Sequence, residues 1–292
     1  MFRVPVTFLF DFEFTDERTR PYVMHEFAVN GAKHLVLTDT LISMILQRPE
    51  LAGRLQKEMA AEGLSFVDSH APFGPSRDLN CPVKSQRREM ILRHKAVLEI
   101  VAAMGVDTIT IHVGNNTSPE YPFQTHVANI EEALAELLPD AERLGLTICI
   151  ENIWFQCSMP EVLLGIKEKF PTDALGFCYD SGHANLIDRG RDYENGYICQ
   201  VWKALGIEPP PWEDRALEKM LPNVVNCHLH DNDGSGDQHR LPGHGNIDWP
   251  HIIGLLNRAP RLKNIQSEVI PVRTNESIRD ICETFLRFGE MV

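Results

Sequence analysis

Residues 145–152, GLTICIEN, contain a junction between a predicted helix and a predicted strand, and junctions of this kind recur along the chain. Gly145 follows a long segment of helical periodicity, Thr125–Leu144, at the position where a left-handed residue commonly ends a helix. The apolar, β-branched run Leu146–Ile150 then predicts a buried strand, and Glu151 lies just beyond its carboxyl end. A glycine stands at the same place after three other helical segments: Gly31, Gly63 and Gly105.

Strand and helix patterns alternate along the whole sequence. The predicted strands are Val4–Phe10, His34–Leu37, Ser65–Val67, Thr108–Ile111, Leu146–Ile150, Ala174–Cys178, Val224–Leu229 and Asn264–Glu268. The predicted helices are Arg20–Asn30, Leu41–Glu62, Ser85–Met104, Thr125–Leu144, Met159–Phe170, part of Asp192–Leu221, Asp248–Asn257 and Asn275–Phe288. Eight strand–helix units in 292 residues predict an α/β fold, a single (β/α)₈ TIM barrel over residues 1–292. A doubly wound open sheet is the alternative, but no Gly-x-Gly-x-x-Gly follows any predicted strand.

One segment, at about residues 188–222, interrupts this alternation. It is long, contains three prolines at residues 209–211, and separates strands six and seven. We expect an insertion that packs on the barrel or serves as a lid or an interface.

The composition excludes several classes of protein. With 43% hydrophobic residues the chain can form a sizeable core, and no run approaches the roughly 20 apolar residues that span a bilayer. The N-terminus lacks the basic and apolar regions of a signal peptide. Seven scattered cysteines indicate a reducing compartment, so we expect a cytoplasmic protein without a disulfide framework. A net charge of −13 argues against nonspecific binding to nucleic acid or membranes.

Imidazole and carboxylate side chains gather at the predicted carboxyl ends of strands three to eight, where barrel enzymes place their chemistry. The histidines are His70, His112, His183, His228 and His239, and the carboxylates are Glu151, Asp180, Asp237 and Glu268. Residues two positions before inward-facing ones also face inward, one layer deeper. Those positions are small or polar: Thr110, Cys149, Cys178, Asn226 and Gln266. We interpret the two cysteines among them as core residues rather than ligands.

Imidazole and carboxylate ligands without thiolate suit Zn²⁺, Mn²⁺, Co²⁺ or Fe²⁺ and disfavour Ca²⁺. Any one of these residues has a simpler explanation, because a loop histidine is usually solvated and Asp180 could cap a helix that begins near His183. Independent accidents would not select successive strand ends, however. One divalent ion offsets half the charge of the four carboxylates, whereas three ions leave an excess of +2. The sequence allows either.

Through these residues the chain resembles the xylose isomerase-like barrel superfamily, which groups sugar isomerases and epimerases with the endonuclease IV type of apurinic-site nuclease. The similarity runs from about Ser65 to Glu268. Its most specific parts are YDSGHA at residues 179–184 and HLHDND at residues 228–233, followed by DQH and PGHGNIDW.

In the isomerase and epimerase branch, the resemblance implies one divalent metal ion held by Glu151, Asp180, His228 and Glu268. It further implies that the same two glutamates are catalytic and exchange protons on opposite faces of a substrate carbon, through a cis-enediolate. His183 would bind a substrate hydroxyl or support a ligand. The substrate would be a small carbohydrate or its phosphate, which the sequence does not distinguish.

The nuclease branch binds three zinc ions, and its pattern matches all nine positions, including His70, His112, His183, Asp237 and His239. Ketose epimerases carry an arginine near the place of His239, so the chain departs from their pattern there. The loop after the first strand, DFEFTDERTR at residues 11–20, is acidic, which argues against nucleic acid as a partner. We therefore favour a sugar isomerase or epimerase. The alternatives are a multi-zinc phosphodiesterase, a keto-sugar or inositol-derivative dehydratase, and a non-enzymatic binder; a homo-oligomer could form through Trp202 and Trp212.

Overall fold

The computed structural model describes residues 3–11, 15–115, 120–188 and 196–288. Its strands are β1 (Val6–Phe8), β2 (His34–Leu37), β3 (Ser65–Ser69), β4 (Thr108–Ile111), β5 (Thr147–Glu151), β6 (Leu175–Asp180), β7 (Val224–Leu229) and β8 (Ile265–Ser267). They form one parallel sheet in the order β3-β2-β1-β8-β7-β6-β5-β4. A parallel bridge between His70 and Thr110 joins the two ends of this series, so the barrel is nearly closed. The predicted (β/α)₈ barrel is confirmed.

The described residues form twelve α-helices. They are α1 (Arg20–Val29), α2 (Asp39–Gln47), α3 (Leu51–Ala61), α4 (Lys84–Ala103), α5 (Phe123–Leu144), α6 (Pro160–Lys169), α7 (Ser181–Leu186), α8 (Tyr197–Leu205), α9 (Ala216–Met220), α10 (Trp249–Leu256), α11 (Pro271–Thr274) and α12 (Ile278–Arg287). The four glycines predicted at helix ends all have positive φ, between 67° and 94°. Their expected left-handed conformation is confirmed.

Two predicted helices have the wrong extent. The prediction of one helix over Leu41–Glu62 is wrong, because Pro49 separates α2 from α3. Proline disfavours helical geometry in the residue before it, and Arg48 accordingly has φ −138° and ψ 82°. The predicted helix from Asn275 begins later, since Asn275 has φ 58° and ends α11, and the Ser277 hydroxyl accepts the Asp280 N–H at the start of α12.

A polar layer fills the barrel interior beneath the carboxyl ends of the strands. Asn226 Nδ2 donates to Asp68 Oδ2 at 2.8 Å and to Thr110 Oγ1 at 3.1 Å. Thr108 Oγ1 donates to the other oxygen of Asp68 at 2.8 Å. These bonds link β3, β4 and β7 across the barrel, and they show the inward orientation predicted for Thr110 and Asn226. All seven cysteines are free, and Cys149 and Cys178 are fully buried against Val225.

Part of the expected insertion, residues 189–195, lies outside the described residues. The remainder packs on the loop that follows β5. Ile198 and Trp202 are buried against Ile153 and Phe155, and Trp202 Nε1 donates to the Trp154 carbonyl at 3.0 Å. The segment therefore supports one wall of the carboxyl end of the barrel. Residues 12–14 of the acidic loop after β1 are also outside the described part. None of the described helices has the length and apolar character needed to cross a membrane.

Candidate metal centre

The structure brings all nine side chains predicted from the strand ends into one cluster. Glu151 and Asp180 are the last residues of β5 and β6, and His228 is the last but one of β7. The others follow strand ends or lie in the loop after β7. Each has a side-chain nitrogen or oxygen within 4.0 Å of another member. The parallel barrel produces this convergence, because the carboxyl ends of its strands all open on the same side.

Glu151 occupies the centre of the cluster and is almost completely buried. Its Oε1 lies 3.3 Å from Nδ1 of both His183 and His228. Its Oε2 lies 3.0 Å from His112 Nε2 and 3.7 Å from His70 Nε2. Four imidazole rings therefore surround one carboxylate.

Asp180 and Glu268 flank this centre. Asp180 Oδ1 accepts the backbone N–H of His183 at 2.6 Å and so caps α7, which is the simpler role considered for this residue. Its other oxygen, Oδ2, turns inward and lies 4.0 Å from His228 Nδ1. Glu268 Oε1 lies 3.1 Å from the same nitrogen and accepts a hydrogen bond from Gln266 Nε2 at 3.0 Å. Capping and ligation are thus compatible in Asp180, since each uses a different oxygen.

Backbone carbonyls orient three of the imidazole rings. The Nδ1–H groups of His70, His183 and His239 donate to the carbonyls of Ala71, Asn152 and Glu268 at 2.8, 2.9 and 2.8 Å. Each ring consequently presents Nε2 to a carboxylate of the cluster. A ring N–H bonded to a backbone carbonyl is the usual arrangement of a metal-binding histidine. His239 also has a φ of 50°, rare for a residue other than glycine, which is a strained conformation of a kind often found at functional sites.

The donor set and its unsatisfied atoms fit a divalent cation. Four groups of three residues place one donor atom each within 4.8 Å of one another: His70–Glu151–His228, Asp180–His183–His230, His230–His239–Glu268 and Asp180–His228–Glu268. Glu151 Oε2 and Asp237 Oδ1 are buried and accept no hydrogen bond of good geometry, even though His112 Nε2 is near the former. A buried carboxylate oxygen without a donor is costly unless a cation compensates it. The identity of the metal does not follow from this geometry.

The titratable groups perturb each other strongly. Burial favours the neutral form of Glu151, but the neighbouring His228 and His112 outweigh burial and hold its pKa well below the ordinary value. Burial likewise opposes protonation of His228, but Glu268 and Glu151 raise its pKa to about 10. Without a cation, protonated histidines therefore compensate the carboxylates. Clusters of this kind are typical of functional sites.

Two functional candidates were missed by the sequence analysis. His230, two residues after His228, is fully buried with Nε2 3.2 Å from Asp180 Oδ2. The alternation of strand side chains could have identified it, because a residue two positions after an inward-facing one also faces inward. Asp11 follows β1 and accepts the Thr38 hydroxyl at 3.0 Å. Burial raises the pKa of Asp11 to about 6, and no sequence pattern signals such burial.

A cavity of about 510 Å³ opens above the cluster. Glu151, Glu268 and the histidines form its floor, and aromatic rings of Phe73, Trp154 and Phe155 form part of its walls. Asp11, Thr38 and Asp39 line another side. Among the described residues around this cavity, Arg273 is the single lysine or arginine. The volume is that of a small-molecule site.

A family model described as a xylose isomerase-like TIM barrel matches residues 37–269. The chain belongs to this family. An uncharacterized protein of Methanocaldococcus jannaschii, MJ1311, is 26% identical over 220 residues, covering 72% of this chain and 64% of the relative. The chain thus spans less than two thirds of the length of that relative.

Solved structures of sugar epimerases share the fold of this family member. D-psicose 3-epimerase from Clostridium cellulolyticum H10 superposes with a TM-score of 0.74 at 12% identity, covering 99% of both chains. The 3-keto-D-glucoside 4-epimerase YcjR of E. coli superposes with a TM-score of 0.70 at 12% identity, covering 99% of this chain and 100% of the other. At such identities the similarity is one of fold.

Proposed function

We propose that the protein is a divalent-metal-dependent isomerase or epimerase of a small carbohydrate, acting by proton transfer through a cis-enediolate. The observation that carries this proposal is the placement of Glu151 and Glu268. Both line the cavity, and each directs one oxygen at His228 Nδ1, at 3.3 and 3.1 Å. Two carboxylates that contact the same nitrogen and face one cavity are suited to remove a proton from a substrate carbon and to return a proton to it. The names of the two solved neighbours agree with this class of reaction.

Glu151, Asp180, His228 and Glu268 would hold the ion. When bound there, a divalent cation supplies the positive charge that polarises a carbonyl and an adjacent hydroxyl and acidifies the neighbouring C–H. Proton transfer itself falls to the glutamates. Oε2 of each points away from His228, toward His112 in Glu151 and toward His239 in Glu268. One Oε2 would take the proton from the substrate carbon and the other would deliver a proton to it.

The walls of the cavity favour a neutral, hydroxyl-rich substrate. Asp11, Thr38 and Asp39 offer hydrogen-bonding groups to hydroxyls, and the rings of Phe73 and Trp154 offer flat apolar surface to a sugar. A nucleic acid backbone requires clustered lysines and arginines, and the described lining contains Arg273 alone. We therefore propose an unphosphorylated carbohydrate as the substrate and no nucleic acid partner.

Turnover in D₂O tests the proposal. The stripped protein, refilled separately with Mn²⁺, Co²⁺ or Zn²⁺, is incubated with a panel of ketopentoses and ketohexoses, and deuterium is located by NMR. We expect deuterium at the carbon next to the carbonyl. Glu151→Gln and Glu268→Gln should each lower incorporation by about 10²–10⁴-fold. Glu99→Gln, an exposed glutamate paired with Arg143, is the control and should match the unaltered protein.

One observation favours a second function. All nine positions expected of a three-zinc phosphodiesterase come together in this structure, including Asp237 and His239, whose Oδ2 and Nε2 lie 3.1 Å apart. Cleavage of a duplex containing an abasic site, with no carbon exchange in any sugar, would establish that function and overturn the first. Release of water from a keto-sugar or an inositol derivative would instead identify a dehydratase.

A further inference from the structure

We propose that the substrate carries a second sugar ring, which binds in a separate cavity beside the metal centre. This second cavity has a volume of about 580 Å³ and is lined by Asp237, Arg240, His244, Arg273, Thr274 and Glu276, among others. The mechanism above uses only the cavity over the cluster and assigns nothing to this space. The inference rests on the proposed function, because it assumes that a carbohydrate reacts at the cluster. It narrows the substrate to a glycosylated keto sugar, such as a disaccharide.

The second cavity adjoins the cavity over the cluster. Asp237 and Arg273 line both of them. Asp237 belongs to the cluster, since its Oδ2 lies 3.1 Å from His239 Nε2, whereas Arg273 lies in α11. A ligand that reacts above Glu151 and Glu268 can therefore extend past Asp237 and Arg273. A monosaccharide at the cluster would leave the second cavity to water.

Backbone hydrogen bonds hold the two walls of the second cavity in place. One wall is α11, and the Ile270 N–H just before it donates to the His239 carbonyl at 3.3 Å. The other wall is the loop after β7, where Asp231 and Arg240 exchange two backbone hydrogen bonds at 2.8 and 2.9 Å. The buried Asp231 carboxylate also accepts the Gly243 N–H at 2.8 Å. A site whose walls are fixed before binding loses less conformational entropy when its ligand binds.

The lining of the second cavity suits the hydroxyls of a sugar ring. Arg240 and Arg273 supply N–H donors, and Asp237 supplies a carboxylate acceptor. Glu276 supplies a second carboxylate, whose Oε1 lies 2.7 Å from His244 Nδ1. The other ring nitrogen of His244, Nε2, is then the one that a ligand would meet. Hydroxyls both donate and accept hydrogen bonds, so one sugar ring can satisfy both kinds of group.

The charges around the second cavity disfavour an anionic group. Among the described residues that line it, two arginines are matched by two carboxylates, those of Asp237 and Glu276. Arg240 is also engaged elsewhere, because its Nη1 lies 3.2 Å from Asp233 Oδ2 and donates to the His244 carbonyl at 3.2 Å. A phosphate or a carboxylate in this space would meet two charges of its own sign, which is unfavourable. A neutral glycosyl group meets no such opposition.

Binding of ketodisaccharides tests the proposal. The protein loaded with Zn²⁺ is titrated with D-fructose and with lactulose, maltulose and isomaltulose, and binding is followed by saturation-transfer difference NMR. These disaccharides are fructose glycosylated at a hydroxyl away from the carbonyl. We expect at least one of them to bind about tenfold more tightly than fructose, as one or two additional net hydrogen bonds supply. Saturation should reach the protons of both rings.

His244→Trp occupies part of the second cavity. It should bring the Kd of the disaccharide close to that of fructose and leave the binding of fructose unchanged. His25→Trp is the matched control, because His25 is also an exposed histidine beside a glutamate, with Nδ1 2.8 Å from Glu62 Oε2, and lines neither cavity. It should bind every sugar as the unaltered protein does. If His244→Trp fails to fold, as judged by circular dichroism, His244→Ala replaces it and should weaken disaccharide binding severalfold.

Three outcomes would overturn the inference: equal affinity for fructose and every disaccharide, saturation confined to the ketose ring, or an unchanged disaccharide affinity in the His244 variant. Tighter binding of a fructose phosphate than of any disaccharide would also overturn it, because the second cavity would then be an anion site. Carbon exchange in D₂O separates this inference from the proposed function. Exchange in monosaccharides without any preference for disaccharides leaves the proposed function standing. Contact of both rings without exchange in any sugar overturns the proposed reaction and supports the second cavity as a glycosyl site.

Discussion

Asp11 is a carboxylate whose surroundings oppose its ionisation, so replacing it with asparagine should stabilise the protein at neutral pH. It lies in the cavity wall after β1 and is half-buried. Burial raises its pKa from 3.8 to about 6; the Thr38 hydroxyl works against this rise, and the charge of Asp39 adds to it. Asparagine keeps the shape of the side chain and an oxygen that can accept from Thr38. It removes only the charge.

The expected magnitude follows from the shift. A rise of about 2 pKa units corresponds to roughly 3 kcal/mol of free energy of unfolding. A raised pKa means that the folded state binds the proton more tightly than the unfolded state does. The stability that Asp11 contributes is therefore complete below about pH 4 and is lost as the pH rises through about 6. Relative to the unaltered protein, Asp11→Asn should gain about 3 kcal/mol between about pH 3.5 and pH 8.

Urea denaturation, monitored by tryptophan fluorescence, measures this difference in the free energy of unfolding across the pH range. A chelator is present to remove the contribution of bound metal. Asp140→Asn is the control with the opposite sign. Hydrogen bonds from Lys95 and Arg143 hold the pKa of Asp140 below its usual range, so its replacement should lose stability as the pH rises. A difference between Asp11→Asn and the unaltered protein that stays flat, or falls, from acid to neutral pH would refute the reasoning. A gain in stability for Asp11→Asn would mean that the protein keeps this carboxylate at a cost to stability. The same substitution should then raise the KM for substrate.

Three further predictions follow from particular contacts. Gly182→Ala should lower the free energy of unfolding by about 1–3 kcal/mol in urea denaturation, because the new Cβ overlaps the His230 ring. The control is Gly165→Ala in α6, where an added Cβ has no other atom within 4 Å. It should raise the free energy of unfolding by up to about 1 kcal/mol. The double change Asp237→Asn with His239→Gln should leave one tight metal equivalent and most of the carbon exchange in D₂O, as an enzyme that reacts at the Glu151 position requires; loss of one ion together with all turnover would favour three-zinc chemistry. Chelation should lower the melting temperature and Zn²⁺ should restore it in a concentration-dependent way, and a melting temperature indifferent to both would exclude a structured metal site.

The sequence was sufficient for the fold and for most of the cluster because both depend on short-range patterns. Alternating runs located all eight strands, and the residue at each strand end could be assigned to one side of the barrel without further knowledge. The missed break at Pro49 could have been predicted from the sequence, since proline disfavours helical geometry in the residue before it, here Arg48. The raised pKa of Asp11 could not be predicted from the sequence. Its raised pKa depends on how much of the β1 loop, Thr38 and Asp39 surrounds it, which is a property of tertiary packing.

The two most specific sequence motifs, at residues 179–184 and 228–233, pack against each other as a single unit. The Ser181 hydroxyl donates to the His230 carbonyl at 2.8 Å and accepts the His230 N–H at 3.1 Å. Asn232 Nδ2 donates to the Gly182 carbonyl at 2.9 Å, and the His230 ring fills the space that Gly182 leaves open. These contacts press the first turn of α7 against the end of β7. The 3.2 Å distance between Asp180 Oδ2 and His230 Nε2 therefore depends on these hydrogen bonds to the backbone and on the absence of a Cβ at Gly182. The residues between the candidate ligands thus determine the geometry at which an ion could bind.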